Sequence, residues 1–243
     1  MKYWNAVLRV NDGCTPVNGG CLNCLAAAEA HMRQHNPLVA ERYRGLTTDK
    51  VFNGTVRVNR DFFLKPLSAK KPKVWQIWND LFHTAVPSEI ICETITLARM
   101  RPEHTFICLT KRIERAMDFG PRNNVEFPKN FFLGTSVSCE EDAGGALSLL
   151  TRIDAPSKLI SFEPAVGLVD FSRALRDTSI KVIIAGGETG PRARVRPCPD
   201  SAIWGCMNDC RDAGVSFFFK GWGAHRYGRQ LDGQEWSRLP WVL

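Results

Sequence analysis

The sequence predicts an α/β fold built on a parallel sheet, either doubly wound or rolled toward a barrel. Two observations predict it. Six short, apolar, β-favouring runs lie at residues 74–78, 105–109, 131–134, 158–162, 181–185 and 216–219, each bounded by polar or turn residues. Such runs read as strands buried on both faces. Helix-like stretches separate them, so strands recur at roughly 25–35-residue spacing, the rhythm of β–α–β units.

In chain order, a first strand is expected within residues 4–10 and another near 56–58. The stretch 87–100 opens with Pro-Ser-Glu, a favourable helix start. The stretch 139–153 carries Glu140, Glu141 and Asp142 early, where acidic groups complement the helix dipole. A third helix over 200–213 ends at Gly214, a C-cap residue. No low-complexity segment or clear linker interrupts the chain, so residues 1–243 read as one domain. Polar residues follow the strands: Asn79-Asp80, Thr110-Lys111-Arg112, Thr135-Ser136, Glu163, Glu188 and Lys220. In a barrel these strand ends share one face, the face that carries active sites.

Apolar residues make up 44% and charged residues 23% of the chain, enough of each for a globular core and a solvated surface. No apolar run approaches the roughly 18 residues that span a bilayer. The opening residues show no secretory leader, so a cytoplasmic protein without membrane attachment is expected. Nine cysteines in a reducing compartment point to metal binding or catalysis rather than disulfides. The net charge of +7 favours phosphates, nucleotides or nucleic acid as partners. Basic clusters at residues 65–73 and 192–196 are solvated loops or phosphate contacts.

Cys14, Cys21 and Cys24 stand in D-G-C-T-P-V-N-G-G-C-L-N-C, spaced C-x6-C-x2-C within a cluster loop over residues 13–25. Three thiolates can ligate three irons of a cubane cluster and leave the fourth open to a small molecule. Gly13, Gly19 and Gly20 let such a loop turn tightly. Zinc is the competing metal, with His31 or His35 as a fourth ligand. Cys198, Cys206 and Cys210 offer a second metal site or, more simply, buried free thiols. Cys92 and Cys108 read as core.

Six further stretches follow the cysteine loop in order: N-D-L-F-H (79–83), H-T-F-I-C-L-T-K-R (104–112), L-G-T-S-V (133–137), S-F-E-P-A-V-G (161–167), G-G-E-T-G-P-R-A-R (186–194) and F-F-F-K-G-W-G (217–223). In this series the chain resembles a phage- and bacteria-associated branch of the radical S-adenosylmethionine (SAM) proteins, over nearly its whole length. It departs from them in Leu25-Ala26, where relatives have Tyr-Ala. Its cysteine spacing also differs from the C-x3-C-x2-C common across the superfamily.

The resemblance implies a partial or near-complete parallel (β/α) barrel of the radical SAM type, with a 4Fe-4S cluster on Cys14, Cys21 and Cys24. SAM would bind the open iron and yield a 5′-deoxyadenosyl radical that takes hydrogen from a substrate. The resemblance implies SAM contacts for Asn79, Asp80 (the ammonium), Lys111 (the carboxylate), Thr135 and Ser136 (the ribose hydroxyls or the carboxylate) and Glu163 (the ribose). It implies substrate or catalytic contacts for Glu188, Lys220, Arg192 and Arg194. Gly186-Gly187-Glu188 looks like the Gly-Gly-Glu that holds the SAM ammonium elsewhere, but it follows a late strand, and that role is not carried over. An electron donor such as flavodoxin or ferredoxin is implied.

The expected function is therefore radical chemistry on a nucleobase, nucleotide or DNA-linked substrate. One form of it is an isomerase rearranging an amino-acid-modified thymine in phage DNA hypermodification. A zinc-stabilised nucleic-acid-binding protein and a non-radical SAM-dependent transferase are the alternatives. The first needs only the cysteines and a histidine; the second does not need the cysteine loop.

Overall fold

The segment IKVIIAG is apolar at all but one position, which suits a strand covered on both faces. The computed structural model describes residues 2–241; Met1, Val242 and Leu243 lie outside the described residues. Seven strands form one sheet: β1 (Ala6–Leu8), β2 (Val74–Ile77), β3 (Thr105–Thr110), β4 (Phe131–Val137), β5 (Lys158–Phe162), β6 (Ile180–Gly186) and β7 (Ser216–Gly221). Every neighbouring pair is parallel, and spatial order equals chain order. A doubly wound sheet needs a point where that order reverses. None occurs, so the doubly wound alternative falls, and the sheet is a half-barrel open between β1 and β7. The strand expected near residues 56–58 is real but lies outside this sheet. Arg57–Val58 pairs antiparallel with Asn11–Asp12.

Helices connect the strands: α1 (Leu25–Arg33), α2 (Ser88–Met100), α3 (Ile113–Asn123), α4 (Glu140–Arg152) and α5 (Asp200–Ala213). Residue types explain their ends. Asp142 closes a capping box at the start of α4 by accepting from the Ser138 amide at 2.7 Å and the Cys139 amide at 3.2 Å. Gly214 ends α5 in the left-handed region, φ 69°, where a side chain would be strained.

The sheet separates two apolar layers by strict alternation. Outward residues, among them Phe106, Cys108, Leu133, Ile160, Ile183 and Phe217, pack against Ile91, Ile95, Ala116, Leu147 and Ile203 of the helices. Inward residues Val74, Ile107, Phe132, Leu159, Val182 and Phe218 form a smaller cluster with Tyr3. The two ends of the chain meet there. Trp241 packs on Phe132 with ring centroids 4.8 Å apart, and its indole N–H donates to the Tyr3 carbonyl at 2.9 Å. The barrel interior is thus plugged with aromatics at the N-terminal ends of the strands and left to polar groups at their C-terminal ends.

Gly134 on β4 has no room for a side chain: a β-carbon would stand 2.4 Å from the Leu159 carbonyl oxygen. Gly144, on the exposed face of α4, has nothing within 4 Å. Gly134→Ala should therefore lower stability by about 1–3 kcal/mol. Gly144→Ala should raise it by about 0.5–1 kcal/mol. Urea-unfolding midpoints of the two variants check both signs.

Candidate functional site

The polar end of the half-barrel opens into a cavity of about 460 Å³, within the range of small-molecule sites. Cys14, Cys21 and Cys24 all line it. So do Asn79, Asp80, Lys111, Ser136, Glu163, Glu188 and Lys220, which the chain contributes from β2 to β7. The topology brings them together because every parallel strand delivers its following residues to one face.

The cysteine loop is tied down from several sides. Gly13, at φ 90°, passes so close to the Thr55 carbonyl that a β-carbon would lie 2.0 Å from its oxygen, so only glycine fits. The Gly54 amide donates to the Cys14 carbonyl at 3.2 Å. Thr15 Oγ1 meets His83 Nε2 at 2.9 Å, and Arg112 donates to the Thr15 carbonyl at 2.9 Å. Asn18 caps the turn by accepting from the Gly20 amide and donates to Asp142 at 3.0 Å. Asn23 donates to the Arg194 carbonyl at 3.2 Å.

The charges in the site divide into those neutralised internally and those left over. Asp80 is buried, and both its oxygens are engaged: Oδ1 accepts from Thr110 Oγ1 at 2.6 Å and from the Phe82 amide, and Oδ2 from Arg112 at 2.6 Å. It holds Arg112, which also donates to the Cys14 sulfur at 3.7 Å. Glu163 pairs with Lys220 across the inner face. Glu188 is buried and gripped by the Arg196 amide at 2.8 Å and by its guanidinium. Lys111 has no carboxylate partner among the described residues. Asn79 donates to the Asn11 carbonyl and leaves Oδ1 buried without a partner.

These surroundings shift the thiols. Burial pushes the Cys14 thiol up to about 11; Asp80 adds to that and Arg112 opposes it. Burial also raises Cys24, against the amides of Ala27 and Ala26 at the start of α1 and the Lys111 charge. Burial and Arg112 hold the His83 imidazole below its ordinary value.

A family model described as protein of unknown function (DUF5131) matches residues 1–240. The chain belongs to the DUF5131 family. No curated protein and no solved structure matches it.

Not every expected site residue of this DUF5131 chain reaches the cavity. Thr135 points outward by the alternation of β4, is fully buried, and donates to the Thr110 carbonyl at 3.0 Å; Ser136, one residue on, faces in. Asp80 lines the cavity with both oxygens already in hydrogen bonds, and it positions Arg112. Glu188, likewise, is bound by Arg196. Arg192 and Arg194 are exposed on the loop after β6, beside the cysteine loop and outside the cavity.

His31 and His35 are also outside the cavity lining; His31 Nδ1 lies by Gln34 at 3.0 Å and Thr47 at 3.3 Å. Cys206 and Cys210 are buried in the main core, while Cys198 is half-buried at its edge. Among the described residues, no three His, Cys, Asp or Glu side chains are gathered as around one ion. Sequence reasoning placed Arg112 among the strand-end residues but gave it no role, and it passed over the aromatic wall of Trp4 and Trp78.

Three cysteines and no histidine line the cavity, a donor set that fits three irons of a cubane cluster with the fourth left open. Lys111, on the same wall and without a carboxylate partner, suits an anionic group of a ligand.

Glu188 carries a pH signature. Burial pushes its carboxyl up, but hydrogen bonds from Arg196 and Asn23 more than reverse this and leave it below its ordinary value. A depressed folded-state value contributes stability above the unfolded carboxylate range, lost as pH falls through the lowered value. Glu188→Gln should therefore cost about 1–3 kcal/mol at pH 7. That deficit should shrink as the pH falls below the ordinary carboxylate range and through the lowered value at which the wild-type carboxylate takes up its proton. Urea midpoints of both proteins at neutral and acid pH measure it.

Proposed function

We propose that this chain is an iron–sulfur enzyme of the radical SAM type, acting on a nucleobase, nucleotide or nucleic acid. One observation carries the reading. Three thiols of one loop open on a single cavity at the C-terminal mouth of a parallel half-barrel, beside an unpaired lysine. The series of sequence motifs supports the same class.

Cys14, Cys21 and Cys24 would hold the cluster, and Asn79 and Lys111 the amino-acid end of SAM. When bound, the pair supplies a carbon-centred radical able to take a hydrogen atom from an unreactive position. The chain's own residues do the rest. Arg112, held by Asp80, sets a positive charge 3.7 Å from the Cys14 sulfur and steadies the anionic ligand set. The aromatic plug formed by Phe132, Phe218 and Trp241 closes the floor of the barrel against water. Glu163 and Lys220 stay paired on the inner face and supply local polarity without net charge.

Arg192 and Arg194, exposed beside the mouth, suit phosphates of a nucleotide or strand. The resemblance extends the proposal to a base-rearranging isomerase in phage DNA modification. A one-electron donor such as flavodoxin or ferredoxin and a reducing, cytoplasmic setting belong to this reading.

Anaerobic reconstitution tests it. Cys14→Ala, Cys21→Ala and Cys24→Ala should each lose iron and the release of 5′-deoxyadenosine. Cys108→Ser should keep its iron at some loss of stability. Lys111→Ala should keep its iron and bind SAM about 10- to 100-fold more weakly, the worth of a charge-assisted hydrogen bond. Full iron and SAM cleavage in Cys21→Ala would overturn the assignment.

A further inference from the structure

Among the described residues eleven large apolar side chains stand exposed, and five of them fall between positions 17 and 38: Val17, Leu22, Leu25, Met32 and Leu38. Leu25 and Met32, seven residues apart, share one face of α1. Leu22 stands on the turn before that helix and Leu38 on the turn after it. The opposite face of α1, through Ala27 and Ala30, packs on Tyr43, Leu46 and Phe52. The helix therefore has one apolar side covered within the chain and a second turned to solvent. Clustered exposure of this kind marks an interaction surface.

Its place decides what it can serve. Leu22 lies between Cys21 and Cys24 in the chain. Cys21, Asn23 and Cys24 line the cavity and Leu22 does not; it is 65% exposed, on the outer side of the same loop. The patch is thus the solvent side of the wall whose inner side carries the thiols. Small molecules of the reaction occupy the inner side, so an electron supplied by another protein enters from the outer one.

The surroundings of the patch are basic. The guanidiniums of Arg9, Arg33 and Arg42 stand 5.8, 5.6 and 5.8 Å from the Tyr43 ring. Asp12 and Glu29 pair with these three. Arg57 donates to the carbonyls of Arg42 and Arg44. Arg44 and Arg57 are exposed and have no carboxylate partner among the described residues. With Glu41 counted, five arginines face three carboxylates. An apolar centre with a charged rim is the anatomy of a protein–protein interface, and the sign of the rim calls for an acidic partner. Nucleic-acid surfaces are more polar than this centre.

We propose that the face formed by Leu22, Leu25 and Met32, with its arginine rim, is the docking surface for an acidic one-electron carrier protein. The inference rests on the reading above for why a carrier is needed, and on the patch for where it sits. One electron leaves the reduced carrier, which is oxidised, and enters the cysteine-held site, which is reduced; no atom passes between the chains.

Binding of a flavodoxin and of a ferredoxin to the full chain, with and without reconstituted iron, tests it. The wild type should bind one of the two carriers, more weakly as salt is raised. Leu22→Glu and Met32→Glu should each weaken that binding at least about tenfold. Both side chains are exposed, so neither change disturbs the core. SAM cleavage driven by dithionite, a small reductant that needs no docking, should stay at the wild-type rate in both variants. Cleavage driven by the carrier below saturation should fall by the factor lost in binding.

The proposal is wrong if neither carrier binds the wild type, if both variants bind the carrier as the wild type does, or if dithionite-driven and carrier-driven cleavage fall together. A wild-type dimer that Leu22→Glu splits, with carrier binding unchanged, would give the face to a second copy of the chain. Loss of single-stranded DNA binding in place of carrier binding would give it to nucleic acid. Either result overturns the proposal. A wild type that takes up no iron and cleaves no SAM with dithionite would sink the radical reading, while carrier binding to the iron-free protein still decides the surface. Iron uptake and dithionite-driven cleavage with neither carrier bound would do the reverse.

Discussion

The two carboxylate oxygens of Asp80 take hydrogen bonds from three sources: the hydroxyl of Thr110, the amide of Phe82 and the guanidinium of Arg112. The first ties the end of β2 to the end of β3. The second shapes the turn that follows β2. The third fixes a guanidinium against Cys14 and the Thr15 carbonyl. Removing one partner of such a buried pair leaves an uncompensated charge, at a cost of about 3–5 kcal/mol. The cysteine loop has little regular structure of its own, so its position depends on this charge network and on the anchors it makes with His83, Asp142 and Arg194.

The half-barrel sets what those anchors can achieve. An order of strands that never reverses sends every strand end to one mouth, and alternation divides each strand between helix-facing and lumen-facing residues. The lumen is apolar at one end, where Tyr3 and Trp241 meet, and polar at the other. Within the polar end most acidic groups are already satisfied: Asp80 by Arg112, Glu163 by Lys220, Glu188 by Arg196. What the fold leaves unspent is small and specific. It consists of three thiols and the Lys111 ammonium.

Much of this was legible in the sequence because burial on both faces leaves a continuous apolar run. The runs at 74–78, 105–109, 131–134, 158–162, 181–185 and 216–219 correspond to β2 through β7, and the helices at 87–100, 139–153 and 200–213 to α2, α4 and α5. The helix α3 went unseen because Gly120-Pro121 reads as a breaker. Its Ile113, Ala116 and Phe119 nevertheless form the buried stripe that holds it to the sheet. Strand ends were set too early on β4, so Thr135 counted as a loop residue when alternation turns it to the helices. Pairings over long sequence distances left no local trace: nothing near Glu188 announces that Arg196 will close on it, or near Asp80 that Arg112 will.

The central claim is that three cysteines hold a cluster and leave one iron for a small molecule. Mössbauer spectroscopy of protein reconstituted with isotopically enriched iron, before and after SAM, tests it most directly. Four iron sites typical of a cubane should be present, and one of the four should shift on addition of SAM while three stay unchanged. A single zinc ion without iron, a mononuclear iron signal, or a cluster blind to SAM would contradict it.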